Sequence, residues 1–472
     1  MSATRIPYPS SQPVYAAAAR WRDECLLADR SLFSGGPGST LAQGEELVRD
    51  FVERPDTGGG TFATKLAGQL ATTSAGGVQL AGELLYVHLL IARSDAMSGG
   101  TKRALVKQVL GLANGTAFAP ADLAGVLDAG LVRPGTAYGT YKWKLFGFLI
   151  EAFVLLKRQP LDERRRLLED PAAFTRAMDA LDMSQGARTQ RAALEHLLFP
   201  DDFPPVVSTE GRAKIVDRWA DLAGDLALPA SVRVGNVYRG LASLTGRPDD
   251  FVNLWRAPYY WEWDGPPSQS WTRAAAWLEW TAAHAEPESR DRPDAVETAT
   301  TLRRIRDVAD AGDARWSGQL ADALLATDLG GQSTCDELIT WTRTDEPAAR
   351  AALLSLWSDP RPTALDDFHA ALPAGLLEEQ GARLSISSLL RTVHVVEQQP
   401  PWRSRYVGRF ANLVGYRRTE PTAPDSEVYD GFLALLDLVL DLLRRQGTAP
   451  RDRLHAQGLV RTTVEEIGRA HV

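Results

Sequence analysis

QLAGELLYVHLLIARS, residues 79–94, is apolar on every side of a helical wheel, and YKWKLFGFLIEAFVLLKRQ, residues 141–159, repeats the pattern until Pro160 stops it. A helix without a polar face has to be surrounded by other elements. These two stretches therefore predict a helical protein built around buried central helices. The period stays near that of a helix outward from them. KRALVKQVLGLA (102–113) puts apolar residues at 105, 106, 109, 110 and 112, a single stripe, and stops at Asn114-Gly115. PADLAGVLDAGL (120–131) opens with Pro120 in a first-turn position, and PLDERRRLLEDP (160–171) is a short amphipathic helix between prolines. Alternation of period two is scarce; VVSTEG (206–211) and LVRPGTAYGTYK (131–142) are the stretches with room for short strands. The expected fold is mainly α and multi-helical: two to three packed helical subdomains with few or no strands.

Composition narrows the function classes. The chain has 472 residues, 44% hydrophobic and 24% charged, which suits a globular core and excludes a mostly disordered or collagen-like protein. Lys+Arg 52 against Asp+Glu 60 gives a net charge of −8, so any contact with phosphate has to come from a local patch. Two cysteines, Cys25 and Cys335, exclude a disulfide framework and a cysteine-based zinc site, and fit a reducing compartment. The N-terminus has no apolar signal region. The most apolar runs, 145–156 and 432–443, are each roughly a dozen residues and are broken by Glu151 and by Asp437 and Asp441, too short for a bilayer span. The expectation is a cytoplasmic protein without membrane contact.

Three joints divide the chain: the proline- and acid-rich turn FPDDFPPVVS (199–208), the charged stretch EPESRDRPDA (286–295), which reads as the clearest linker, and the polar RRTEPTAPDSE (417–427). The expected domains are an N-terminal helical domain at 1–205, an aromatic-rich helical segment at 206–288 and a C-terminal helical domain at 289–466.

The sequence contains no GxxxxGK[ST], HExxH, GxSxG or paired CxxC. His88, His196 and His394 sit in apolar contexts and read as core residues; Asp201-Asp202 and Asp366-Asp367 read as solvated turns. No catalytic residue, metal ligand or cofactor is assigned to this chain.

Two stretches are candidates for binding. FVNLWRAPYYWEWDGPPSQSWTRAAAWLEW (251–280) holds six of the 13 tryptophans. Trp255, Tyr259, Trp261 and Trp263 are the candidate aromatic surface, able to stack bases or a peptide. The competing reading is a loop pinned onto a core by large rings, with Trp277 and Trp280, three apart, on the core-facing side of a helix. PPWRSRYVGRFANLVGYRR (400–418) carries Arg403, Arg405, Arg409, Arg417 and Arg418 among Trp402, Tyr406, Phe410 and Tyr416, with no acid. Arginine interleaved with aromatic residues suits phosphate contact with stacking; the competing reading is an amphipathic helix with aromatics inward and arginines outward. Arg164-Arg165-Arg166 and Arg303-Arg304 with Arg306 alternate with acids and read as solvated faces.

RAALEHLLFPDDFPPVVSTEGRAKIVDRW (191–219) resembles a segment of bacterial McrB-like AAA+ proteins, relatives of the motor of methylcytosine-dependent restriction systems. ARWRDECLLADRSLF (19–33), FVERPDTGGGTFATKLAGQL (51–70), AGELLYVHLLI (81–91), GTKRALVKQVL (100–110), 383–416 and RDRLHAQGLV (451–460) look like further pieces of that family in the same order. The resemblance implies a target-recognition or regulatory region of a restriction or anti-phage defence NTPase. It also implies an AAA+ module that binds ATP or GTP with Mg2+ and self-associates, a separate nuclease subunit, and DNA as a partner. No position here matches the phosphate loop, the Walker B acids or the arginine finger, so none is carried over. The alternative is a stand-alone helical scaffold that binds a protein partner and not DNA. The last six residues, IGRAHV (467–472), are what a common sequencing-adapter string encodes, and are expected to be translated adapter. With them, 461–472 is expected to be exposed and poorly packed.

Overall fold

Every residue from Leu80 to Leu90 is buried in the helix that the first stretch encodes, Ala75–Leu90. The second stretch forms Lys142–Lys157, in which Leu145 to Ile150 are all buried. The computed structural model describes residues 2–55, 61–135, 138, 140–181, 187–244, 251–256, 259–265, 269–284, 288–327, 329–416 and 423–470. Among them are 24 α-helices and no strand; the only ladder contacts are the isolated bridges Arg30–Pro37 and Ala92–Val132. The second bridge lies in a stretch where a strand had room. Pro134, without an N–H to donate, lies two residues beyond it.

The chain divides into two compact units, Met1–Val252 and Asn253–Val472, each with its own hydrophobic cluster. The divisions expected at 206 and 289 fall inside these units.

In the first unit, serine and threonine caps start the helices. Thr40 and Gln43 form a reciprocal capping box on Leu41–Leu47, and Ser74, Ser98 and Ser208 each accept a backbone N–H three residues on. The polar residues inside its core are braces. Glu83, within the apolar helix, accepts Ser31 Oγ at 2.5 Å, the Phe33 N–H at 3.1 Å, Ser39 Oγ at 3.2 Å and Gln79 Nε2 at 3.0 Å, and so ties down the loop 29–39. Lys102 is fully buried and donates from Nζ to the carbonyls of Ala92 and Ala129, beside the Ala92–Val132 bridge. Burial lowers its ammonium to about 8, against the opposing pull of Asp128.

The segment 191–219 is held by buried polar contacts. Arg191 reaches Glu195 at 2.9 Å, Asp179 at 2.6 Å and the Thr175 carbonyl at 2.6 Å. His196 Nδ1 lies 2.6 Å from the Phe203 carbonyl, which can only accept, so Nδ1 carries the proton. Nε2 then accepts the Tyr15 hydroxyl at 3.0 Å. The turn 199–208 is thereby locked to the first helix, and Ser208 caps Thr209–Arg218. Arg164 departs from the solvated-face reading: it is buried and donates to the Leu26 carbonyl at 2.7 Å and to Asp29 at 3.1 Å, while Arg165 and Arg166 stay exposed.

In the second unit, Arg383 and Asp425 form a buried bidentate pair at 2.5 and 2.9 Å. Arg391, fully buried, donates to the Asp359 and Pro360 carbonyls at 3.0 and 2.6 Å and to Gln399 at 2.8 Å. The expected linker 286–295 is instead mostly helix. Glu288–Asp310 runs through Pro293, where Arg292 grips Asp452 at 2.5 and 3.0 Å. The last helix is a second correction. It spans Arg453–Ala470, with Thr463 and Val464 buried and Ile467 half-buried. Val460, Thr463, Val464 and Ile467 recur at helical spacing, and Thr463 shares a hydrogen bond of 3.1 Å with Thr281. Residues 461–467 are therefore packed; 471 and 472 lie outside the described residues.

Each unit holds one free cysteine, and both are buried. Burial pushes the Cys25 thiol up to about 12, helped by Glu83 nearby, and the Cys335 thiol up to about 11.

Candidate nucleic-acid interface

The acid-free stretch forms the helix Ser404–Val414. Its apolar residues at 407, 410, 411 and 414 follow the i, i+3, i+4, i+7 rule, and all four are buried. The opposite side presents Arg405, Arg409 and Asn412 to solvent. Arg405 and Arg409 are one turn apart, so their guanidinium groups share a face. Among the described residues no carboxylate pairs with either; the one recorded contact is Arg405, 5.9 Å above the Tyr406 ring. Arg461 of the last helix sits over the same ring at 5.2 Å, anchored to Glu465 at 3.1 Å. Arg403 is half-buried at the helix start. Arg417 and Arg418 lie outside the described residues.

The aromatics of this stretch are inward. Phe410 and Tyr416 are buried, Trp402 packs edge-on against Phe432 at 5.2 Å, and burial pushes the Tyr416 phenol up to about 12. Gly415, with φ of 65°, ends the helix in a Schellman turn: Tyr416 N–H bonds to the Ala411 carbonyl at 2.9 Å and Gly415 N–H to that of Asn412 at 3.3 Å. That turn swings Tyr416 back into the core, where its hydroxyl donates to the Gly431 carbonyl at 3.1 Å. The helix can thus offer charge to a ligand, but not a stacking ring from its buried side.

Other arginines nearby are committed. Arg453 holds Asp437 bidentately at 2.7 Å, and Arg256 lies 3.8 Å from Glu427. They flank Asp430, whose carboxyl is raised to about 7 by burial against the opposing pull of Arg256 and Arg453.

The aromatic stretch splits in two. Trp255, Tyr259 and Trp261 are half-buried, and Trp263 is only 7% exposed. Trp255 and Tyr260 meet Trp263 edge-on at 5.0 and 5.6 Å, Trp261 packs on Trp271 at 5.0 Å, and the Trp263 indole donates to the Leu254 carbonyl at 2.8 Å. Trp263 is therefore not part of an open surface: its faces and its N–H are used within the unit. Trp277 and Trp280 are the reverse case. On the helix Gln269–His284 the core side is Trp271, Ala274, Ala275, Leu278 and Thr281, which leaves Trp277 half-buried and Trp280 45% exposed. A three-residue spacing fits any helix face; reading the phase from Trp271 with Leu278, seven apart, would have placed Trp277 and Trp280 outward.

No group of three or more His, Cys, Asp or Glu positioned to hold a metal ion occurs among the described residues, and no helix there is long and apolar enough to cross a membrane. No protein family, curated protein or solved structure compared with the chain matches it.

Proposed function

We propose that this chain is a non-catalytic helical module that contacts the phosphate backbone of DNA through the helix Ser404–Val414, as the target-recognition or regulatory region of a McrB-like AAA+ restriction or defence NTPase. The observation that carries the contact is the exposed pair Arg405 and Arg409, one turn apart on an acid-free helix and without a carboxylate partner among the described residues. Guanidinium groups in this setting are free to take up phosphate oxygens. The family assignment rests on the ordered resemblance of the sequence segments, and ATP or GTP, the nuclease subunit and self-association come only with it.

The test is duplex binding by the purified chain, measured by fluorescence anisotropy across a salt series. Arg405→Ala with Arg409→Ala is expected to weaken binding and to flatten the salt dependence by roughly 0.9 in log–log slope for each lost phosphate contact. An unchanged slope moves the site elsewhere. One observation favours the second reading, a protein-binding scaffold: the net charge of −8 repels a polyanion outside the local patch. Absence of duplex binding by the wild type at low salt selects that reading.

A further inference from the structure

The outward face of the helix Gln269–His284 carries Arg273, Trp277, Trp280 and His284 at spacings of four, three and four residues, one continuous stripe. Arg273, Trp280 and His284 are exposed. The rings are ordered relative to one another. Trp277 meets Trp280 edge-on with centroids 5.9 Å apart, and His284 lies flat on Trp280 at 5.1 Å with an interplanar angle of 17°. The His284 ring is also fixed from the side. Its Nδ1 is 2.9 Å from the Trp280 carbonyl, which accepts, so Nδ1–H donates and Nε2 is left on the outer edge.

A large aromatic ring in water costs free energy that burial would recover, and the aromatics at 255–263 show that this unit packs such rings when they face inward. The exposed stripe is not an aliphatic patch of the kind that seats a helix: beside the rings it offers cationic or hydrogen-bonding groups at both ends. The His284 imidazole covers one face of Trp280 in parallel geometry, so the pair presents a flat stacked platform of the kind a planar nitrogen heterocycle extends. We infer that the stripe Arg273–Trp277–Trp280–His284 binds unpaired nucleobases of single-stranded nucleic acid, with the bases stacking on Trp277 and on the Trp280–His284 pair and Arg273 taking a backbone phosphate. The strand is held by ring faces, which every base can match, so binding is tolerant of sequence. The stripe and the arginine pair lie on different helices, Gln269–His284 and Ser404–Val414, and the occupant of the stripe is a strand without a partner rather than a duplex.

The test uses the full chain with a labelled oligothymidylate and a labelled duplex, at low and at physiological salt, read by anisotropy and by quenching of tryptophan emission. Wild type is expected to bind the oligothymidylate with quenching. Trp277→Ala with Trp280→Ala is expected to weaken that binding about tenfold or more while leaving the duplex affinity within twofold of wild type, given the usual worth of a base–aromatic stack. Trp280→Phe, which keeps a ring, is expected to retain most of the affinity. Trp280 is exposed, so Trp280→Ala alone should weaken single-strand binding with far-ultraviolet circular dichroism and melting temperature unmoved; for the double variant, which also removes the half-buried Trp277, a retained circular dichroism spectrum separates lost binding from lost fold. Single-strand binding that is absent in wild type, or equal in the double tryptophan variant, overturns the inference. A loss of single-strand binding confined to Arg405→Ala with Arg409→Ala overturns it too, while leaving the arginine reading standing. Failure of the arginine reading shows separately, as duplex binding that ignores those two substitutions. Binding of a folded acidic protein that displaces no oligonucleotide but is lost in the tryptophan variant would assign the stripe to a protein partner instead.

Discussion

Arg383 and Asp425 are buried to within a few per cent, and each satisfies the other with two short hydrogen bonds. Such a pair adds little net stability, yet removing one member strands the other charge in the core. Asp425→Ala is expected to cost about 3–5 kcal/mol, measured by chemical denaturation, and the double replacement Arg383→Met with Asp425→Leu to recover much of it. A loss below about 1 kcal/mol for the single variant would mean that the pair is hydrated. The two buried histidines of the first unit give a pH prediction. His88 donates from Nδ1 to Gln190 at 2.7 Å, stacks on Tyr138 at 4.5 Å, and is brought by burial from 6.5 down to about 4. His196 is brought down to about 4 for the same reason, its bond to Phe203 opposing. Folded, both imidazoles stay neutral where the unfolded chain takes up protons. Their contribution is therefore whole above pH 6.5 and is lost as pH falls toward 4. The first unit is expected to lose stability over that window by up to about 1.4 kcal/mol per pH unit for each histidine. Melting temperatures between pH 7 and pH 4.5 check this, and His196→Gln should flatten the slope while lowering stability at pH 7. The reading of these histidines as core residues came from their apolar neighbours; their partners, a glutamine and a tyrosine over a hundred residues away in sequence, left no local trace.

At the scale of an element, the helix Ser404–Val414 depends on how it ends. Gly415 adopts a left-handed conformation that closes the Schellman turn and returns Tyr416 to the core. Gly415→Val is expected to cost about 1–2 kcal/mol, since a β-branched residue is strained there, and to lower duplex affinity by loosening the end of the arginine-bearing helix. Gly415→Asn should restore most of both, and a variant as stable as wild type would argue against the turn. The helices at 79–94 and 141–159 were legible because an all-round apolar pattern allows only a buried helix. The same logic failed at 286–295. There a proline among charges reads as a break, yet the helix absorbs Pro293 in its second turn where a long-range ion pair, Arg292 with Asp452, holds the chain. At 461–467 the apolar residues look sparse, yet Val464 and Ile467 continue the helical phase of Val460, and Thr463 on the same side meets Thr281. The outward placement of Arg405 and Arg409 follows from the helical period of Val407, Phe410, Ala411 and Val414, whereas Arg403, at the helix start, is half-buried. The outward tryptophans do not follow in this way, since spacing alone leaves the phase of a helix open.

At the scale of the molecule, two hydrophobic clusters divide the chain, and each core is assembled from residues of one unit. Residues 1–252 and 253–472, expressed separately, are expected each to show helical circular dichroism and a cooperative melt; a fragment that stays unfolded would show that its core needs the other. The boundary has only a short local mark, the polar Gly246-Arg247-Pro248-Asp249-Asp250 just before residues 252 and 253, which the aromatic run that follows outweighs in a reading of composition. The helical class was legible, because it follows from the period of nearly every segment. The distribution of the two cysteines has a practical consequence. Cys25 is in one unit and Cys335 in the other, both are buried, and neither thiol ionises readily in place. A thiol reagent can reach each one only when its own surroundings open. The protein thus carries two native clocks, one per unit. The order in which Cys25 and Cys335 become labelled under mild denaturant, resolved by peptide mass, reports which half of the chain opens first without adding any foreign probe.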